Sequence, residues 1–398
     1  MYKRGLAKLL LAAALLVSLP ACWSSREIED LSLYTGMALD QGKPSLVEKE
    51  LEERGGSYKK RNTLTATLQI VPEKIIGNTK TKDKQQQQQR FFNISETGDS
   101  LLEIFRQFSI RRDRPIIGHH LKVIVVSEQL AAQENMRQLM DFVLRDNDIR
   151  PSCMVFLSEG NAAKTLTTTH PDEIPSFRLR DMIGNRFRTN KLMEGVNLSK
   201  LDALMHSKQS FILQNIVESE SEVEFSGAGI IKGETGQFIG NLDQGDVESI
   251  NWIKGEIKSG TIKAYDEADE VITYEIKSAE SKITVKESAD DELSFHVKIE
   301  STGRLIEKWN NQHRKLDEAY LKEFEKHFKQ RLTEMINRTM LKMKTTYKVD
   351  VAGFGQRLSI EEPQKWKKVK DHWDEMFSTI PVTFEVKLTI TDYGSFTE

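Results

Sequence analysis

Between Ser100 and Thr168 the chain alternates helical and strand-like periodicity, and that order narrows the fold more than any other feature. Leu101, Phe105 and Phe108 mark one face of a helix, and Leu121 to Val126 form an almost unbroken apolar run, as a strand buried on both faces requires. Met136, Leu139, Met140, Val143 and Leu144 then fall on the i, i+3, i+4, i+7, i+8 positions of a helix packed on a sheet. Cys153 to Leu157 is a second buried strand, and Ala162 to Thr168 is expected to be another helix. A β-α-β-α order implies a sheet covered by helices and at least locally parallel, so the chain belongs to the mixed α/β (α+β) class.

The first residues decide where such a body would reside. Lys3, Arg4 and Lys8 precede an apolar run from Leu9 to Val17, far below the ~20 residues a bilayer span needs. Leu19-Pro20-Ala21-Cys22 follows and resembles a bacterial lipobox. That resemblance implies cleavage before Cys22, a diacylglyceryl group on its thiol and an acylated amino terminus. Two or three acyl chains on one cysteine hold a protein stably at a membrane, whereas one binds reversibly. Ser24-Ser25-Arg26-Glu27 has the capping-box pattern, so a short helix to about Leu31 should keep the tether short. Loss of Lys3, Arg4 and Lys8 with the signal takes the formal charge from −3 to about −6. That balance gives no nucleic-acid footprint, which needs a concentrated basic face.

A chain of 398 residues exceeds one ordinary core, and its 29 % charged and 38 % hydrophobic content is that of a globular protein. Thr63 to Val71 alternates as a half-buried strand, and the five glutamines Gln85 to Gln89 suit an exposed loop. A helix around Leu198 to Met205 closes the first region. Past Lys208 short strands dominate: Phe211–Ile216, Val223–Lys232, Gly255–Ala264, Val271–Ile276, Lys282–Lys286 and Leu293–Glu300, with a short helix carrying Val247, Ile250 and Trp252. An amphipathic helix from about Leu316 to Tyr347, a helix carrying Trp366, Val369, Trp373 and Phe377, and an alternating strand from Val382 to Ile390 complete the chain. The expected division is a signal peptide (1–21), a mixed α/β domain (22–208), a small strand-rich middle domain (209–282) and an α+β domain (283–398) with its long helix on an antiparallel sheet.

Catalytic patterns are missing: the sequence has no Gly-x-Ser-x-Gly elbow, no His-Glu-x-x-His, no Walker-type loop and no Cys-x-x-Cys. His119-His120 invites a metal reading, but adjacent residues diverge in strand and helix alike, and the other histidines are scattered. Gly227-Ala228-Gly229 lacks the rest of a phosphate-binding fingerprint and suits a close-packed strand or bulge. Cys153, in an apolar run and without a partner if Cys22 is acylated, suits a buried inert thiol.

Several stretches resemble, in order, the Ger(x)C family, the lipoprotein C subunits of spore germinant receptors. They are Cys22 to Leu31, Gly118 to Glu128, Asp141 to Arg150, Asn251 to Gly255, Val349 to Gly355, and the end of the last strand at Tyr393-Gly394. The resemblance implies an elongated body of three mixed α/β domains, anchored through acylated Cys22 on the outer face of the spore inner membrane beside two membrane-spanning subunits. It implies a role in nutrient-triggered germination by assembly and signalling, with no catalytic residue, cofactor or metal, and leaves open whether this subunit touches the nutrient. The alternative is an extracytoplasmic solute-binding lipoprotein of a transporter, against which the unlike halves of the chain speak. A tethered hydrolase lacks its nucleophile and metal patterns.

Overall fold

The computed structural model describes residues 31–55, 60–72, 90–170, 172–219, 222–287, 292–309 and 317–393. Cys22, the capping-box stretch before Leu31 and the glutamine tract lie outside them. Two sheets make up the body. The first contains β1 (Ser32–Gln41), β2 (Leu64–Val71), β3 (Phe92–Gly98), β4 (Ile116–Ile117), β5 (Val123–Ser127), β6 (Met154–Ser158), β7 (Phe211–Ser219), β8 (Glu222–Ile231) and β9 (Phe238–Leu242). Its order is β3-β2-β1-β5-β6-β7-β8-β9, with the short β4 alongside β1. The central β1-β5-β6-β7 run is parallel, as the helix–strand alternation implies, and both flanks are antiparallel.

Around this sheet lie α1 (Leu46–Arg54), α2 (Leu101–Arg111), α3 (Glu128–Gln133), α4 (Met136–Arg145), α5 (Pro175–Met182) and α6 (Leu198–Ser207). Most starts are written in the chain: Ser100, Ser127, Asn135 and Asn197 each accept an N–H of the first turn. Residues of β5 alternate between two cores. Ile124 and Val126 pack with α2, α4 and α6, while Val123 and Val125 pack with Leu166, Leu179 and Ile183. Covering both faces explains two departures from the sequence reading. β1 carries no alternation that would reveal it, since eight of its ten residues are buried in succession. β2, expected to be half-buried, has its polar side covered as well: Gln69 Nε2 donates to Leu166 O at 2.8 Å and Gln69 Oε1 accepts from Ser176 N at 3.0 Å. Ala162–Leu166 is a single 3₁₀ turn rather than an α-helix, with Asp40 accepting from Ala162 N and Ala163 N.

The second sheet is β10 (Thr261–Tyr265), β11 (Val271–Glu287), β12 (Leu293–Lys308) and β13 (Val382–Asp392), in that order. The stretch 209–282 is thus shared out: β7–β9 extend the first sheet, and β10 and most of β11 open the second. What the sequence suggests as two strands, Val271–Ile276 and Lys282–Lys286, is one strand with a register shift between Ile276 and Ser278. β13 pairs parallel with β12, so the expected antiparallel sheet is mixed. The physical reason is the connection, a helical crossover long enough to bring the chain back in the same direction.

Within that crossover and before it lie α7 (Gln244–Lys254), α8 (Glu318–Leu341), α9 (Phe354–Glu361), α10 (Pro363–Val369) and α11 (Trp373–Phe377). The long helix expected to reach Tyr347 ends as α at Leu341 and closes with a π turn, Lys342–Tyr347. The Trp366-to-Phe377 helix is broken by a 3₁₀ turn at Lys370–His372. Tyr320, Phe324, Phe328, Leu332 and Ile336 give α8 its buried stripe, and Phe328 packs on Tyr274 of β11 with ring centroids 5.5 Å apart. α7 is buried all round from Asp246 to Ile253. It touches β8, β11, β12 and α8, and one contiguous core contains apolar residues from both sheets, the second face of the first sheet keeping its own.

Candidate functional site

Cys22, the one site residue the sequence singles out, precedes the described chain, which enters the first sheet at β1 with Ser32 N donating to Pro115 O at 2.9 Å. The weaker sequence candidates have structural roles. His119 is exposed, 3.6 Å from Asp148, and His120 is half-buried. Burial, Lys122, Arg150 and His119 hold the His120 imidazole below the ordinary histidine range, an environment that repels a metal ion. Among the described residues no group of three His, Cys, Asp or Glu side chains could hold a metal. Cys153 is buried, and burial pushes its thiol up and keeps it from forming the reactive thiolate. Gly227 has φ +66°, and a Cβ there would stand 2.1 Å from Leu242 O, so it serves the close approach of β8 to the start of α7.

Buried carboxyl groups gather where the two sheets meet. Asp350, in the Val349–Gly355 stretch, is buried in the turn before α9. Its Oδ1 accepts from Ala352 N, Gly353 N and Phe354 N at 3.1, 3.0 and 3.3 Å, and its Oδ2 accepts from Gly355 N at 2.6 Å and Trp373 Nε1 at 2.9 Å. Burial pushes its carboxyl above the ordinary aspartate range, opposed by these donors and helped by neighbouring Asp374. Asp374 carries the connection onward. It accepts from Asp350 N at 3.0 Å, from Ser210 Oγ at 2.5 Å and from Lys232 Nζ at 2.9 Å, the last two at the ends of β7 and β8.

A second clamp fixes α7 to α8. Asp243 and Asp246 form the capping box that starts α7. Asp246, fully buried, also accepts from Thr339 Oγ1 at 2.9 Å and Lys342 Nζ at 2.5 Å, while Arg338 reaches Asp243 at 3.1 Å. On the same helix Glu248 accepts from Asn190 Nδ2 at 2.7 Å, and Asn251 Nδ2 donates to Asn190 O and Leu192 O, each at 3.0 Å. Burial raises the Glu248 carboxyl to about 7, with Lys191, Arg331 and the Asn190 amide offsetting only part of that cost.

Sequence reasoning missed Asp243, Asp246, Glu248, Asp350 and Asp374. Asp243-x-x-Asp246 before an apolar run was a readable capping signal. Asp350 was not, because an aspartate beside glycines in a turn looks alike whether exposed or buried. The arrangement offers no nucleophile beside a base. What it provides is rigidity: carboxyl groups, each hydrogen-bonded to neighbouring elements, that fix one sheet against the other.

Residues 24–218 match the spore germination protein N-terminal domain, and residues 226–394 match the spore germination B3/GerAC-like C-terminal domain. Spore germination protein YndF of Bacillus subtilis is 38% identical over 397 residues, covering 99% of this chain and 98% of that protein. Spore germination proteins B3 and A3 of the same organism are 28% and 27% identical, over 96% and 95% of this chain and equal shares of theirs. The crystal structure of the GerBC protein superposes with a TM-score of 0.61 at 23% identity, covering 85% of this chain and 97% of that one, which shows the shared fold. Full-length similarity through both domains places the chain in the GerAC/GerBC-like C-subunit family of spore germination proteins.

Proposed function

We propose that this chain is the lipid-anchored C subunit of a spore germinant receptor, held through acylated Cys22 on the outer face of the spore inner membrane. It works there beside two membrane-spanning subunits, by assembly and signalling and without chemistry of its own. The observation that carries this reading is the match to both family domains, beginning at residue 24, two residues after the lipobox-like cysteine. No helix among the described residues is long and apolar enough to cross a membrane, so an anchor before Leu31 is the economical attachment. The core that runs through both sheets and the two polar clamps support a signalling body that moves as a unit, since close-packed interiors transmit displacement rather than absorb it.

The test is Cys22→Ala in the native host, with metabolic labelling by a radioactive fatty acid. The anchor reading expects label on the unsubstituted protein alone, and an unprocessed or mislocalised precursor for the variant. Equal membrane recovery and normal processing of both would overturn it.

A further inference from the structure

The parallel strands β1, β5 and β6 share an amino end, and the chain enters the body there. Ser32 begins β1, so the ten residues from Cys22 to Leu31 can reach no further than about 35 Å from this edge, even fully extended. The same edge gathers basic side chains from four separate segments. Arg112 follows α2 and lies over the Phe92 ring at 4.7 Å. His120 and Lys122 precede β5, Arg150 precedes β6, and Arg180 ends α5.

These cations are crowded. Burial, Arg180 and Arg150 hold the Lys122 ammonium below the ordinary lysine range, and Lys122 and Arg150 do the same to His120 after burial. Carboxylates answer only part of this charge: Asp181 pairs with Arg180 at 2.6 Å, and Asp148 faces His119 at 3.6 Å. Among the described residues Lys122 and Arg150 have no ion-pair partner, and Arg150 is exposed. Ile110, 78% exposed, projects at the end of α2 on the same edge. Like charges held together with fewer counter-ions than cations, on the edge nearest a lipid tether and in a chain of net charge −3, call for an anionic partner supplied from outside the chain.

We infer that the amino end of the parallel strands is the membrane-facing side of the body, and that Arg112, Lys122, Arg150 and Arg180 dock it on anionic phospholipid headgroups. The choice of this edge rests on the Cys22 reading. The tether brings the edge to the bilayer, and the basic residues then fix its orientation, a second attachment of the kind that makes a lipid anchor stable.

The experiment uses the mature-length chain, residues 23–398, which lacks both the acylated cysteine and the basic, apolar signal segment, mixed with vesicles of equal parts phosphatidylglycerol and phosphatidylcholine, or of phosphatidylcholine alone, at lipid concentrations that bind half of it. Binding should favour the anionic vesicles and weaken with added salt. Arg150→Gln with Arg180→Gln, both at exposed positions and therefore safe for folding, should weaken it by at least about tenfold, since each basic residue at an anionic surface multiplies partitioning by about fivefold. Arg150→Lys with Arg180→Lys should leave it nearly unchanged. Equal binding to both kinds of vesicle, or no loss in the glutamine variant, would overturn the inference. Acylation does not enter the comparison, because every chain in it lacks Cys22, so failure here and failure of the anchor reading remain separate results.

Discussion

Glu248 is a carboxyl group whose ionisation the fold opposes within the ordinary pH range, and Glu248→Gln isolates that opposition. Its carboxyl sits at about 7 in the folded chain against 4.5 for a free glutamate. Below the unfolded value both states hold the proton, and folding is insensitive to pH at this residue. As pH rises from 4.5 to about 7 the unfolded chain releases the proton and the folded chain keeps it, so stability falls across that window and is level above it. Each pH unit between the unfolded and folded values is worth about 1.4 kcal/mol, so the penalty is about 1 kcal/mol near pH 5 and about 3 kcal/mol near pH 8. Glutamine keeps an oxygen for Asn190 Nδ2 and cannot ionise. The assay is urea unfolding of both proteins across this range. The variant should gain about 2 kcal/mol over the unsubstituted chain between the two pH values, a difference from which other titrating groups cancel. A stability difference between the two proteins that does not change with pH would show that Glu248 is ionised in the fold, and the argument from its burial would fail.

Two further substitutions probe the clamps. Asp350→Ala leaves four backbone N–H groups and an indole N–H without their acceptor inside the body, and should cost about 4 kcal/mol or more in urea unfolding, while Asp350→Asn, which keeps Oδ1, should cost clearly less. Equal losses for the two would remove the network from the account. Lys342→Met leaves the buried Asp246 carboxylate with Thr339, its capping partner and the more distant Arg338 at 3.8 Å, and should cost about 2 kcal/mol. A loss below about 1 kcal/mol would mean that the pair behaves as an exposed one.

How far the fold was legible depended on whether a segment buried one face or two. α4, α8 and β13 present one apolar side each, and their periodicity placed them to within a few residues. β5 and β6 were found as apolar runs, but β1, equally covered, mixes Thr35, Gly36 and Asp40 into its run and left no mark. Lys277 and Ser278 interrupt the apolar alternation of β11 at its register shift, which split one strand into two in the reading. Strand direction was beyond the periodicity, because whether β13 runs with or against β12 depends on how the intervening helices carry the chain back. The same limit applied to the polar sites. Asp246 and Asp350 satisfy local backbone donors, and what makes them structural is contact with Thr339, Lys342 and Trp373, all distant in sequence.

The most direct test of the central claim is nutrient-triggered germination. Spores lacking this gene, and spores in which it is restored either unsubstituted or as Cys22→Ala, are followed by loss of optical density across a panel of single nutrients. The account predicts that the deletion abolishes the response to particular nutrients and spares others, that the unsubstituted gene restores it, and that Cys22→Ala restores it poorly. An unchanged response to every nutrient in the deletion strain, or full rescue by Cys22→Ala, would contradict a lipid-anchored germinant receptor subunit.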